Sequence, residues 1–177
     1  MPRKYNPLPP QGVLKDWFDY DPESGTFIWK KRPANCVHIG QVAGTLEGRG
    51  YWQMRVPGFG MFKASRLAWM YIYGNDPDDL QIDHSDGNKL NNAISNLRLA
   101  TNAENGRNRG VASNNRSGLK GVRLRVGTRK WEARIRVNGV EIYLGLHSTA
   151  ESAHAAYCKA ATEHFGEFAR NVSSVQT

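Results

Sequence analysis

Residues 82–105 read IDHSDGNKLNNAISNLRLATNAEN, an Asp-His pair followed by six asparagines, and the reading of this stretch decides the fold around it. The β-branched Ile82 favours a strand. Neighbouring strand residues point to opposite faces, so Asp83 and His84 reach a shared site only if the backbone bends there. The turn signal SDGN follows at once, LRLA (97–100) reads as the returning strand, and Thr101 caps a short helix whose next turn presents Asn105. The order is ββα. Folded so, the Asp83 carboxylate and the Asn105 amide supply two hard oxygen ligands suited to Mg²⁺ or Mn²⁺. His84 is then left as a general base, because an imidazole of ordinary pKa, about 6.5, holds a large neutral fraction at physiological pH. Asparagine side chains bond nearby backbone and tolerate left-handed conformations, which gives Asn88, Asn91, Asn92 and Asn96 the task of locking a long turn with little apolar packing. A base and a cation are what phosphodiester hydrolysis needs: one takes a proton from water, the other meets the departing oxygen.

An Asp-His dipeptide is common and an Asn-rich run by itself is a polar loop. The joint register carries the reading, with Asn96 twelve residues after His84 and Asn105 twenty-two after Asp83. The string D-H-x-D-G-N-x-x-N-N-x-x-x-N-L-R-x-x-T-x-x-x-N resembles the HNH homing-type endonucleases of phages and introns, which have a ββα-metal fold. By position, the resemblance implies that Asp83 and Asn105 bind the divalent metal, that His84 activates water, and that Asn96 fixes the loop so that His84 is correctly oriented. The upstream KASRLAWMYIYG (63–74) is similar to the helix that precedes the motif in phage members, except that relatives often carry histidine where Ser65 stands.

Outward from this centre, Val13, Leu14, Trp17 and Phe18 lie at helical spacing, and the pattern predicts a short helix over Gly12–Tyr20 that stops at DPESG. TFIW, YWQMRV and MFKA follow as strands of small antiparallel hairpins, separated by Gly48-Arg49-Gly50 and Pro57-Gly58-Phe59-Gly60. SRLAWMYIYG then reads as a helix with Ser65 as N-cap and Gly74 as its stop. The tryptophans of this third are assigned to a core.

Charge divides the chain. Residues 1–105 hold 12 Lys/Arg against 11 Asp/Glu, whereas residues 106–177 hold 12 against 5, so the second part carries seven of the eight net positive charges. A lopsided basic domain attracts nucleic acid, whose phosphates release counterions to Lys and Arg. Residues 106–117 lack an apolar period and carry Arg107, Arg109 and Arg116; they read as a basic flexible linker lying along a phosphate backbone. Beyond it, GVRLRV, KWEARIRV and VEIYLGL alternate. Arg123, Arg125, Glu132, Arg134, Arg136, Glu141 and Tyr143 fall on one face, and Val122, Leu124, Val126, Trp131, Ala133, Ile135, Val137, Ile142 and Leu144 on the other. A helix from about Thr149 to Phe165 covers the apolar face with Ala153, Ala156, Tyr157 and Ala160, capped by Ser148 or Thr149, with Glu151 completing a box with Ser148.

This part resembles the plant ethylene-response-factor domain, also called apetala-type, whose three-stranded sheet binds the DNA major groove. The resemblance puts Lys120, Arg123, Arg125, Arg136 and Tyr143 at DNA; the alternation adds Arg134. VGTR stands where plant members carry a DNA-contacting tryptophan. Cys36 and Cys158 belong to no CxxC pair and are expected to be buried thiols, and His38, His147, His154 and His164 to be surface or core residues. No apolar run reaches membrane-span length and no leader is apparent, so the expectation is a cytoplasmic protein of a bacterial or phage-infected cell.

The expected fold class is α+β: small N-terminal β-hairpins with a ββα-metal HNH finger (1–105), the linker (106–117), a separate three-stranded antiparallel sheet packed on one α-helix (118–171), and a tail (172–177). The expected function is a metal-dependent HNH endodeoxyribonuclease using Mg²⁺ or Mn²⁺ on double-stranded DNA, as a monomer or dimer, with one strand cut per binding event. The rival is a DNA-binding regulator with a catalytically idle HNH scaffold. RNA is the weaker target because its major groove is too narrow for a sheet.

Overall fold

The computed structural model describes residues 7–112 and 114–170; Asn171 and the tail 172–177 lie outside them. The chain divides after Thr101 into two compact units.

In the first unit, helix α1 (Gln11–Trp17) runs directly into strand β1 (Phe18–Asp21), which pairs antiparallel with β2 (Thr26–Trp29). The predicted helix therefore ends three residues early. Phe18 and Tyr20 satisfy the strand period instead, both turning inward while Asp19 and Asp21 face solvent. The gain is aromatic packing: Phe18 meets Phe27 edge-on at 5.9 Å and Trp29 at 4.6 Å. Strands β3 (Thr45–Leu46), β4 (Trp52–Val56) and β5 (Gly60–Lys63) form a second small sheet, in the order β3-β4-β5. Its buried side, Met54, Val56 and Phe62, joins Leu14, Phe18, Phe27 and Leu67 in one core. Trp29 is buried there and Trp17 packs against it, as assigned.

Helix α2 (Ala64–Tyr73) closes this core with Ala64, Leu67 and Ala68. It stops at Gly74, whose φ of 72° gives the left-handed C-terminal turn that glycine tolerates. Ser65 is not its cap. The cap position is Lys63, with no side-chain capping bond, and Ser65 is buried within the first turn. The hairpin β6 (Gln81–His84) and β7 (Leu97–Ala100) follows, its register setting Asp83 opposite Arg98 and His84 opposite Leu97.

The second unit begins with helix α3 (Asn102–Arg107), which contains Asn105. Strands β8 (Val122–Arg125), β9 (Lys130–Val137) and β10 (Val140–His147) make an antiparallel sheet with β9 in the centre. Helix α4 (Ala150–Phe165) covers one face, burying Ala153, Tyr157, Ala160, Ala161 and Phe165 against Val122, Ala133 and Ile135. Small side chains let it lie close. At Gly121 the approach is so tight that an added Cβ would come within 2.0 Å of the Tyr157 ring.

Four details correct the sequence reading. Thr149 is the cap of α4, its hydroxyl accepting from the Ser152 amide at 3.1 Å while Ser152 Oγ donates back to the Thr149 carbonyl; the Ser148–Glu151 box does not form. Val126 falls beyond the end of β8 and is almost wholly exposed, and Leu124 is exposed as well, because the apolar face narrows towards the turn that α4 does not reach. Strand β10 also loses register between Tyr143 and Leu146, where Gly145 has a φ of 110°. Cys36 is exposed and Cys158 half-buried, so neither is the buried thiol expected: Cys36 sits in an irregular loop, and Cys158 lies beside His154 on the flank of α4.

Candidate active site

His84 ends β6 with its ring buried, and its position is fixed by a neighbour that sequence reasoning treated as a loop residue. Nε2 lies 3.2 Å from the Oδ1 of Asn92. The Asn92 amide group is itself oriented, since its Nδ2 donates to the Leu90 carbonyl at 3.2 Å. Oδ1 therefore faces the imidazole and can only accept, so Nε2 carries the proton and Nδ1 is left as the basic nitrogen of the neutral ring. Burial pushes His84 below its ordinary pKa and the Lys63 ammonium acts the same way; Asn92, Asp86 and Asp83 pull in the opposite direction without winning. The net direction favours the neutral imidazole, the form that can accept a proton.

Asn92 is held from far along the chain. Tyr20 Oη donates to its carbonyl at 2.7 Å, and the Ile94 amide donates to the Pro22 carbonyl at 3.0 Å. Gly25, with φ of 72°, presses on the same segment: a Cβ there would sit 2.1 Å from the Asn92 carbonyl carbon. The tight turn of the β1–β2 hairpin is thus the anvil against which the Asn92 backbone rests. This is why DPESG ends in glycine.

The remaining asparagines lock the loop as expected. Asn96 Oδ1 accepts from Ser85 Oγ at 2.7 Å and from the Asp86 amide at 3.0 Å, while its Nδ2 donates to Asp86 Oδ1 and to the Asn91 carbonyl. Asn88 and Asn91 accept from backbone amides two residues on, and Asn91 Nδ2 donates to Asp86 Oδ2. For Asp86, burial raises the pKa, but these bonds from Asn91, Asn88 and Asn96 outweigh it and hold the carboxyl below its ordinary value. Asn96 braces the loop that follows His84; Asn92 is the residue that touches His84.

Asp83 is buried, and Arg98 opposite it on β7 donates from Nε at 2.9 Å and Nη2 at 2.8 Å to its Oδ2. Both charge-assisted bonds converge on one oxygen and anchor the carboxylate against β7. The signal was in the sequence: an acidic and a basic residue face each other across an antiparallel pair once the hairpin register is known. A carboxylate oxygen is a hard donor and fits Mg²⁺ or Mn²⁺. Among the described residues no group of three or more His, Cys, Asp or Glu side chains is placed to hold a metal ion. Asn105 lies on α3, partly buried, in the second unit.

The polar face of the second unit is not a bare arginine grid. At its centre Glu132 is buried, with Arg123 Nη2 at 3.1 Å and Arg134 Nε also bonded to the same carboxylate oxygen. Arg134 reaches on to Glu141. Arg125, Arg136 and Tyr143 are exposed on strands β8, β9 and β10, with Tyr143 opposite Arg134 and Glu141 opposite Arg136. Lys120 turns inward: its Nζ donates to the carbonyls of Arg107 and Arg109 at 2.5 and 2.8 Å, and burial lowers its pKa. The Arg107 guanidinium stacks 4.8 Å from the Phe165 ring centre, while Arg109 and Arg116 are exposed. No helix among the described residues is long and apolar enough to cross a membrane.

Residues 62–107 match the HNH endonuclease family. An uncharacterized HNH endonuclease of Acanthamoeba polyphaga mimivirus is 41% identical over 100 residues, 56% of this chain and 51% of the relative, so the chain spans about half the length of that protein. Protein 3.8 of Escherichia phage T7 is 34% identical over 112 residues, covering 62% of this chain and 92% of the relative. Among solved structures, that of the HNH homing endonuclease I-HmuI, titled for DNA binding and cleavage, is similar at a TM-score of 0.42 and 20% identity over 86% of this chain and 81% of that one. The chain belongs to the same family as Protein 3.8, and its residues 62–107 are an HNH endonuclease domain.

Proposed function

We propose that this HNH-domain chain is a divalent-metal-dependent DNA endonuclease that cuts one strand per binding event and is targeted by the sheet of its second unit. The observation that carries the reading is the placement of His84: its ring is buried at the end of β6 with Nε2 3.2 Å from Asn92 Oδ1, next in sequence to an Asp83 carboxylate bonded to Arg98.

In the proposed reaction His84 Nδ1 takes a proton from the water that attacks phosphorus in line, and the 3′ oxygen departs, leaving 5′-phosphate and 3′-hydroxyl ends. By the family resemblance, Asp83 and Asn105 are the residues that would hold the Mg²⁺ or Mn²⁺. When bound, such an ion supplies positive charge at the departing oxygen. Asn96 and Asn92 divide the positioning, one stiffening the loop and the other the ring. On the second unit, Arg123, Arg125, Arg134, Arg136 and Tyr143 are the side chains offered to the major groove, where guanidinium groups bond guanine edges or clamp phosphates. Arg109 and Arg116 contact the backbone. Lys120 and Arg107, given their inward contacts, support the base of that surface.

The test is a supercoiled plasmid incubated with the protein, with and without Mg²⁺ or Mn²⁺. Wild-type protein converts it to the nicked form only with metal. His84→Ala loses the rate by about 10²–10⁴-fold while still retarding DNA on a gel. A wild-type protein that retards DNA but never cuts it, in either metal, replaces this reading with that of a regulator on an idle HNH scaffold.

A further inference from the structure

Helix α3 is a poor helix by its own sequence. It has six residues, NAENGR, none of them buried, and Asn102, Asn105 and Gly106 are weak helix formers. A helix that short does not persist in water unaided. Yet it carries Asn105, and it lies both within the HNH match of residues 62–107 and within the second unit.

Its C-terminal end is where it is held. A helix leaves its last carbonyls without amide partners and gathers partial negative charge there, so a cation is the fitting cap. The Asn108 amide returns to the Glu104 carbonyl at 3.2 Å. Beyond that point three successive carbonyls accept from cationic side chains. Those of Arg107 and Arg109 accept from Lys120 Nζ at 2.5 and 2.8 Å, and that of Asn108 accepts from Arg170 Nη1 at 3.4 Å. The Arg107 guanidinium packs on the ring of Phe165, the last residue of α4. Lys120 is itself tied to α4, its own carbonyl accepting from His154 Nδ1 at 3.0 Å. Burial, with the Arg170 charge acting the same way, pushes the Lys120 ammonium below its ordinary pKa, as expected of a cation turned away from solvent.

We propose that Lys120 is the C-terminal cap of α3 and a positioning residue for the metal, fastening the helix that carries Asn105 to α4 so that the Asn105 amide oxygen is held in one orientation. The proposal rests on the reading of Asn105 as a metal ligand. It takes Lys120 off the DNA-contacting face, where the resemblance puts it. A residue that orients a ligand without touching the ion typically changes metal affinity or activity by about 10–100-fold when removed.

The experiment compares the full-length wild type with Lys120→Met, which keeps an unbranched side chain and loses the donors. In metal-free buffer the amides of Asn108 and Arg109, which bond back to Glu104 and Gly106, should exchange with solvent about tenfold faster or more in the variant, while those of β9 keep their rate. Mn²⁺ alone, added without DNA, should broaden the Asn105 side-chain amide resonance of the wild type, and about 10–100-fold more Mn²⁺ should be needed in the variant. The slope of log affinity for a short duplex against log salt, taken without divalent metal, should be the same in both, since no phosphate contact is lost. Should Lys120→Met loosen β9 as well, Lys120→Gln, which keeps one donor group, is read in its place. Unchanged exchange at Asn108 and Arg109, or a slope shallower by about 0.9, overturns the cap. Faster exchange with an unaltered Mn²⁺ requirement overturns the positioning role. If the protein cuts DNA and the exchange does not change, the nuclease stands and the cap falls. If Asn105 is not broadened in the wild type and supercoiled DNA stays intact in both Mg²⁺ and Mn²⁺, the nuclease reading falls and takes the positioning role with it.

Discussion

Each unit of this chain pairs arginine with a buried carboxylate, and the two pairings have opposite purposes. In the first unit both partners are interior: Asp83 is buried and the Arg98 side chain is only 16% exposed. In the second, Glu132 is equally buried, but the Arg123 and Arg134 side chains are 64% and 36% exposed. Where the arginine is hidden, it serves the acid by fixing the carboxylate. Where the arginines are open, the acid serves them by holding two flexible side chains upright on a sheet face. The same chemistry builds a rigid site in one unit and a displayed surface in the other.

The sharpest way to break this contrast is to remove the arginine from the first pair. Arg98→Met leaves the Asp83 carboxylate buried without its main cation, a change that costs about 3–5 kcal/mol. A unit of this size should then melt more than about 10 °C lower. A shift within a degree or two of wild type would show that Arg98 is a surface pair like those of the second unit.

Asn92→Ala is the next largest change. It leaves the buried Nε2–H of His84 without its acceptor, a loss of about 1–3 kcal/mol, and frees the ring to present either nitrogen. Cleavage should drop by about tenfold or more. The acid limb of the rate profile should move down, because Asn92 raises the His84 pKa and its removal leaves burial less opposed. In the wild type that limb is expected below the ordinary value of about 6.5. The linked effect on stability has a definite sign. A histidine whose folded pKa is depressed binds fewer protons folded than unfolded, so its contribution is complete above about pH 6.5 and is lost as the pH falls through the lowered folded value. Chemical unfolding of wild type and Asn92→Ala across that range measures the shift directly.

Much of this architecture was legible because it depends on local chemistry. The β6–β7 hairpin follows from SDGN and LRLA, α2 stops where Gly74 permits, and the covered and open faces of the second sheet follow from alternation except where α4 runs out near Leu124. What was not legible depends on partners distant in sequence. Phe18 fits a helical stripe with Val13, Leu14 and Trp17 and also a strand with Tyr20; Phe27 and Trp29 decide in favour of the strand. Asn92 looked like its neighbours Asn88 and Asn91. Only Tyr20 and Gly25, more than sixty residues earlier, mark it as the asparagine that must not move. Lys120 reads from the sequence as a DNA contact, and the bonds its ammonium donates to the carbonyls of Arg107 and Arg109 depend on how the backbone turns back between them.

The smallest expected stability effect is also the one that tests the other half of the comparison. Glu132→Gln keeps the shape and one hydrogen-bond acceptor beneath Arg123 and Arg134, and the arginines are solvated enough that losing the ion pairs should cost about 1 kcal/mol or less. Its effect on DNA binding should be larger and two-sided. Removing a negative charge from a basic face raises affinity for arbitrary duplex at low salt, while arginines no longer held upright read base edges less reliably, so preference among sequences declines. Competition binding with a randomised duplex pool measures both quantities at once. If general affinity rises and selectivity is untouched, Glu132 merely dilutes charge; if both fall together with the melting temperature, it is a core residue like Asp83, and the contrast between the two units dissolves.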